Sequence, residues 1–543
     1  MTDVCTDWFR SDERESGEND HILMRTKNSV INFLANSGSH LINVILSFVV
    51  RTIFIYTLSV EYLGVNGLFS NVLTVLSFAE LGIGTAMIYK LYEPVARDDY
   101  DMIRQLMNLY RRLYTAVALV IAAAGLLLVP FLPHLIADYD RYSGMENLTV
   151  IYLLFLFDAV SSYFFSYKRS IIYAYQKMYI TTAIDTVVTV SQFLVQIVVL
   201  LAWKAFIPFL LIQVAASVTK NAVCAGVADR RYAYLKEDKS SLPDRSVRDD
   251  IKKNIGAMSL HKLGDIIVNN TDNLIMSAFV GLTQVGVYSN YIMIQSTVNT
   301  ALNGFYGAFT ASIGDLYVDE MSDERRGRLY EVYRTMLFLT FWIYGFCSAA
   351  FLVLYNPFIG AWAGENYLFP MSIVLSIVAV FYLNGMRKVT LTFRDAMGLF
   401  WYDRYKPIAE IIINLTASLI LVQKLGVVGI FLGTIISVMT TCFWIEPLVT
   451  FKFGFRMGVG TYYRHYFLYT AIACADIALT YFICDHITAP GFIGVFVKAI
   501  ILIIVYNTIV VMIFGRSREM KDVMGRLGKM RASHKGGDAG AGK

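Results

Sequence analysis

The chain has 543 residues, of which 56% are hydrophobic and only 16% charged, with a formal net charge of +5 and a mean hydropathy of +0.52. Soluble domains run near a quarter charged, so this balance describes a polytopic membrane protein rather than a soluble one, and no nucleic-acid partner is expected. The six cysteines are scattered without a CxxC pair and the histidines are scattered too, which gives no disulfide framework and no metal site.

Residues 1–20 are polar and acid-rich (Asp3, Asp7, Asp12, Glu13, Glu15, Glu18, Asp20) and have no apolar core of signal-peptide type. Residues 1–24 read as a disordered acidic tail, so the first apolar run should stay in the membrane. About 20 apolar residues cross a bilayer as a helix. Such runs follow at 29–57, 64–89, 113–137, 147–167, 180–202, 205–227, 255–281, 285–313, 331–355, 369–393, 408–424, 427–450, 463–484 and 490–514. That makes about 14 transmembrane helices, with twelve or thirteen as the alternative where runs are short or adjoin.

Basic residues test the count. With a cytoplasmic N-terminus, all but seven of the 47 Lys and Arg fall on cytoplasmic links, tails and their adjoining helix ends. The seven are Arg141, Lys204 and Lys424 outside, and Arg51, Lys220, Lys262 and Lys498 within spans. The bias holds at every link, and a miscounted span would break it downstream. The expected arrangement is a multi-pass membrane protein with both termini cytoplasmic. The longest such link, 229–254, divides an N-lobe (25–228, helices 1–6) from a C-lobe (255–451, helices 7–12). Two extra helices (452–515) and a basic tail (516–543) complete the chain, and the tail is suited either to solvent or to anionic lipid.

The lobes resemble each other. A shift of 222 residues puts Gly64-Val65 on Gly286-Val287, Asn32 on Asn254, Gly82 on Gly304, and Asp101, Arg104 and Arg112 on Asp323, Arg326 and Arg334. Six helices per half preserve orientation, so the repeat is of the parallel type, with substrate between the halves and alternating access by rocking. The expected fold is therefore an all-α polytopic membrane protein with two pseudo-symmetric six-helix lobes plus two C-terminal helices.

Helix 1 carries Asn36, His40, Asn43, Ser47 and Arg51 at spacings of three and four, on one helical face. The same shift carries that face onto Met258, Lys262, Asp265, Asn269 and Asn273, within the run HKLGDIIVNNTDN. A charge at the bilayer centre costs about 2.5–3.5 kcal/mol on insertion scales, so Arg51 and Lys262 point to a wet cavity between the lobes. For Asn36, Asn43 and Ser47, helix–helix glue worth about 0.6 kcal/mol each stands beside the cavity reading. Acids also lie in spans: Glu80, Asp158, Asp185, Asp272 and Asp476. Glu80 lies near the depth of His40, as a structural pair or a proton carrier. Lys262 and Asp265 sit at i and i+3 and can partly neutralise each other. Glu80, His40, Asp265 and Asp272 are the candidates for coupling to H+ or Na+. No other cofactor is implied.

No P-loop, GxSxG or HExxH pattern occurs, so neither ATP-driven nor hydrolytic chemistry has a motif. Asp138-Tyr139-Asp140 has the look of a glycosyltransferase acid pair, but the topology puts it outside. A membrane polymerase or glycosyltransferase is the rival class, and it lacks the large loop such an enzyme would want. The chain reads as a non-enzyme.

The run EYLGVNGLFSNVLTVLSFAELGIGTAMIYKLYEPVARDD (61–99) resembles the Wzx-type flippases of bacterial polysaccharide biosynthesis, as do 162–180 and 272–291. These belong to the multidrug/oligosaccharidyl-lipid/polysaccharide exporter superfamily, with the multidrug and toxin extrusion antiporters and the peptidoglycan-precursor flippase. The resemblance covers about residues 24–515 and implies two six-helix lobes in a V around a central cavity. It implies movement of undecaprenyl-pyrophosphate-linked oligosaccharide between leaflets, with Arg51 and Lys262 at the family's cationic positions. The implied partners are that lipid-linked oligosaccharide, membrane lipids, and the polysaccharide polymerase and glycosyltransferases. In the peptidoglycan-precursor flippase two extra C-terminal helices help form a groove for the lipid tail, and helices 13 and 14 are the counterparts here. The drug antiporters carry an acid in helix 1, where this chain has only Asn and His. A cation-coupled small-molecule antiporter is the alternative function.

Overall fold

The computed structural model describes residues 18–80, 83–142, 144–237, 242–317 and 323–525, and among them every regular element is a helix. In chain order these are α1 (Glu18–Thr57), α2 (Val60–Leu76), α3 (Ile83–Ala96), α4 (Tyr100–Leu128), α5 (Leu148–Ser166), α6 (Met178–Trp203), α7 (Phe206–Arg231) and α8 (Arg245–Phe279). They continue as α9 (Leu282–Leu316), α10 (Asp323–Trp362), α11 (Met371–Ala396), α12 (Lys406–Leu425), α13 (Val427–Phe455), α14 (Gly460–Asp485) and α15 (Gly491–Phe514). Among the described residues eleven helices are long and apolar enough to cross a membrane. The other three expected spans fall on the α2/α3 pair, on α8 and on α9.

The second expected span is not one helix. It breaks after α2 into a 3-10 turn, Ser77–Glu80, before α3 begins at Ile83. At the break Glu80 takes a 2.5 Å hydrogen bond from the Tyr114 hydroxyl of α4, and the sequence carries glycines, poor helix formers, at 82 and 84. The α13 helix runs past the expected end at 450 and contains two π-helical turns, Val438–Cys442 and Thr450–Phe455, on either side of Glu446. Such turns cluster at functional positions.

Two compact units interleave along the chain. The first comprises Met1–Thr57, Ala79–Leu127 and Thr149–Met258, the second Leu58–Phe78, Leu128–Leu148 and Ser259–Lys543. In the first, α1 packs along α6 and α6 along α7. Its charged links are tied together: Lys90 pairs with Asp250, Arg104 with Glu237 at 2.7 Å, and Lys168 with Asp229 at 2.6 Å. In the second, Glu146 donates its backbone N–H to the Tyr62 hydroxyl at 3.2 Å, and Ala137 donates to the Ser277 carbonyl at 2.9 Å. Links that the alternating count puts on one face thus meet one another within each unit.

The second unit is organised around two contacts. At one, α2 crosses α9 with their backbones nearly touching, and the Thr283 hydroxyl donates to Glu61 at 3.2 Å. At the other, α14 and α15 lie against α10. Phe341 stacks on Tyr469 at 4.8 Å, Phe338 meets Phe514 edge-on at 5.2 Å, and the Trp342 indole N–H donates to Asn507 at 2.9 Å. Beyond α15 the chain returns to α10 through the pairs Arg334–Glu519 and Arg518–Glu331. Burial alone would raise the Glu519 carboxyl, but a backbone N–H and the Arg334 guanidinium hold it below the usual carboxylate range. The expected C-terminal helix pair is therefore fastened to the C-terminal half by aromatic packing and ion pairs.

Candidate functional site

The polar face of α1 divides between two jobs. Asn36 accepts a hydrogen bond from Thr182 of α6 at 2.8 Å, and Ser39 accepts one from Thr186 at 2.7 Å. These two are helix–helix glue, with Asn32 binding the Gln176 carbonyl and the Tyr179 N–H at 3.0 and 2.7 Å in the same seam. The Ser47 hydroxyl turns back on its own helix, to the Val44 carbonyl at 2.9 Å. Asn43 donates to Ser39 at 3.3 Å and leaves its Oδ1 buried without a partner. His40 is exposed and Arg51 half-buried. Glu80 takes its bond from Tyr114, which Tyr110 supports at 3.1 Å, rather than from His40.

On the matching face of α8, the backbone is helical throughout, while the side chains of Lys262, Asp265 and Asn269 lie outside the described residues. Asn273 is described and has a buried Oδ1 without a hydrogen-bond partner. One residue before it, Asp272 is buried in the interior of the second unit. Its closest donor is the Thr434 hydroxyl of α13 at 3.5 Å, which lies equally far from the Ile430 carbonyl. Asn414 of α12 donates to Thr434 at 3.0 Å and keeps a buried, unpartnered Oδ1, and Ser418 donates to the Ile430 carbonyl at 3.2 Å. A buried carboxyl among hydroxyl, amide and carbonyl oxygens is short of positive charge. It is stable with a proton or with a small hard cation. Among the described residues no three His, Cys, Asp or Glu side chains come together as a metal centre.

A third set of residues was not anticipated. Arg387 of α11 grips Glu446 of α13 with two hydrogen bonds, 3.0 and 2.6 Å, and reaches Asn384 at 2.8 Å. Lys406 of α12 also binds Glu446 at 2.6 Å, and Glu410 stands 3.5 Å from Lys406 and 3.7 Å from Arg387. Glu446 is 1% exposed. Beside this network Arg394 pairs with Asp395 at 2.7 Å and with the buried Asp403 at 2.6 Å. A cavity of about 260 Å³ opens on the cluster. The 222-residue repeat gives no signal for this network, since that shift carries Lys168 onto Thr390 and Asp229 onto Phe451.

Of the acids noted in spans, Asp185 is gripped by Arg169 at 2.6 and 3.0 Å, and Asp476 accepts from Thr480 at 3.2 Å.

The fold is shared with solved transporters. The structure "Lipid II flippase MurJ, inward closed conformation" aligns with a TM-score of 0.59 over 89% of this chain and 99% of its own, at 13% identity. A multidrug resistance MATE family transporter of the MOP superfamily, in an inward-facing conformation, aligns with a TM-score of 0.54 over 75% of this chain and 94% of its own, at 16% identity. At these identities the likeness defines the fold: an all-α multi-pass membrane protein with the architecture common to that flippase and that transporter. No protein-family model and no curated protein matches the sequence.

Proposed function

We propose that this protein is a flippase that moves undecaprenyl-pyrophosphate-linked oligosaccharide repeat units across the bacterial cytoplasmic membrane by alternating access, for assembly of capsule, exopolysaccharide or teichoic-type polymers. The observation that carries the reading is the extent of the fold match: the lipid flippase accounts for 89% of this chain, the multidrug transporter for 75%. In this reading Arg51 and Lys262 hold the pyrophosphate, and the amide and hydroxyl groups of the two polar faces meet the sugars. Both termini are cytoplasmic, and the polymerase and glycosyltransferases of the same assembly line are the partners. With Arg51→Ala and Lys262→Ala at normal protein levels, surface polysaccharide should fall at least tenfold in each strain; full export in both would overturn these roles.

Energy enters through Asp272. We infer that its carboxyl, set among Thr434, Asn414 and the Ile430 carbonyl, takes up H+ or Na+ during the cycle. Asp272→Asn removes the charge but preserves the shape. Transport in proteoliposomes should become at least tenfold slower and insensitive to an imposed Na+ or pH gradient, while the melting temperature holds or rises. A variant still driven by the gradient would exclude the site.

The same oxygen cluster favours a second reading, a cation-coupled small-molecule antiporter. Drug exchange in liposomes without translocation of lipid-linked sugar would select it.

A further inference from the structure

Glu80 stands at the head of a row of hydroxyls inside the first unit. Its Oε1 accepts from Tyr114 at 2.5 Å. Such a distance falls in the range of about 2.5–2.7 Å that a hydroxyl keeps from an ionised carboxylate. An ionised carboxylate only accepts, so the Tyr114 proton is committed to it and the Tyr114 oxygen is left as an acceptor. Tyr110, one turn earlier on α4, donates to that oxygen at 3.1 Å. The two rings meet edge-on at 4.5 Å, and the residues are only 2% and 3% exposed. Two buried O–H groups therefore point the same way, toward one carboxylate.

The packing of α3 leaves space for this row. A Cβ on Gly84 would lie 3.1 Å from the Tyr114 hydroxyl, 3.4 Å from the Tyr110 hydroxyl and 3.7 Å from Glu80 Oε1. All three oxygens thus gather over a stretch of helix that carries no side chain. Tyr163 of α5 flanks Tyr114 at 5.7 Å. At the far end the buried Ser170 hydroxyl, in the short helix Arg169–Ala174, stands beside Tyr110. Tyr167, in the turn after α5, meets Tyr110 edge-on at 6.5 Å and lines a cavity of about 190 Å³. The charged groups acting on Tyr167 are Arg111 and Asp229. The distribution of basic residues assigns this link to the cytoplasmic side. The row of hydroxyls therefore runs from a half-buried acid within an expected span toward a cytoplasmic link.

We propose that Tyr110 and Tyr114 form a proton relay that loads and unloads Glu80 from the cytoplasmic side. In one passage the Tyr114 O–H bond breaks as an O–H bond forms on Glu80 Oε1. Tyr114 takes the Tyr110 proton, and Tyr110 takes one from the cytoplasmic end. The net change is one proton on the carboxylate, and both phenols finish neutral. Unloading runs the same steps backwards. Both separations are within reach of proton transfer, and chains of ionisable and hydroxyl groups are how protons cross the interior of a membrane protein. The relay concerns proton movement alone. It holds for either cargo and does not depend on Asp272, so its failure would leave the function proposed above standing.

The test uses the full chain in nanodiscs, followed by infrared spectroscopy after a rapid drop in pH. The C=O band that Glu80→Gln abolishes reports protonated Glu80. Tyr114→Phe and Tyr110→Phe should each slow the rise of that band at least tenfold while the melting temperature holds. The double variant should be no slower than the slower single one, because the links act in series and breaking either breaks the path. Purely structural phenols would instead lower the melting temperature and leave the rate unchanged. Should Tyr114→Phe fail to fold, Tyr110→Phe decides alone, since it leaves the bond to the carboxylate in place. A band that rises as fast in folded Tyr110→Phe as in the wild type would overturn the relay, as would the absence of any band that depends on Glu80.

Discussion

Glu446→Gln should cost this protein about 3–5 kcal/mol of stability, the usual penalty for stripping one partner from a buried ion pair. The carboxylate is shared by Arg387 and Lys406, both at 2.6 Å, so one substitution leaves two buried cations facing Glu410 at the longer distances of 3.7 and 3.5 Å. The amide matches the shape of the carboxylate, so the loss is electrostatic and not steric. In detergent the variant should show a sharply lower melting temperature and a smaller monodisperse fraction. Replacing Lys406 as well, in Glu446→Gln/Lys406→Met, should recover part of the loss, because one of the uncompensated cations is then gone and its space is filled by an apolar chain of similar length. If Glu446→Gln melts with the wild type, the network is wetter than its burial states and the neighbouring cavity reaches it.

This network shows what the sequence conceals. Arg387, Lys388, Arg394 and Lys406 count simply as basic residues at helix ends, which is how they support the topology. Their acids are 59 and 40 residues away in the case of Glu446, and hydropathy carries no information on which way a helix end turns. By contrast the polar face of α1 was legible because three- and four-residue spacings fix a shared face whatever the tertiary structure. Even there the periodicity could not separate Asn36, which glues α1 to α6, from Arg51. That distinction depends on Thr182, 146 residues later. Asp272 was legible as an acid in a span, and its setting was not, since Asn414, Ser418 and Thr434 come from helices that sequence alone does not place beside α8. The break between α2 and α3 escaped for a similar reason. The run stays apolar through Glu80, and the Tyr114 hydroxyl that meets Glu80 comes from another helix.

Gly286→Val should be the most damaging substitution on the α2–α9 crossing, with Gly64→Val close behind. These two glycines are the pair that the repeat superposes, and in the fold each meets the other's helix. A Cβ on Gly64 would lie 2.1 Å from the Leu282 carbonyl oxygen, and one on Gly286 would lie 2.2 Å from the Val60 carbonyl oxygen and 3.1 Å from the Gly64 nitrogen. Small residues at such a crossing let two backbones approach closely, and that approach is the contact. The obstacle is backbone in both directions, so trimming a neighbouring side chain cannot relieve it. The helices must separate, which costs at least the 1–3 kcal/mol of ordinary overpacking and loses the Thr283–Glu61 hydrogen bond with it. Melting curves of the purified single variants should show this loss. The double variant Gly64→Val/Gly286→Val should be little worse than the poorer single one, because once the helices have parted for one valine the second finds room. Additive losses would mean that the glycines act at separate contacts, and the pseudo-symmetric crossing would then not be a single structural unit.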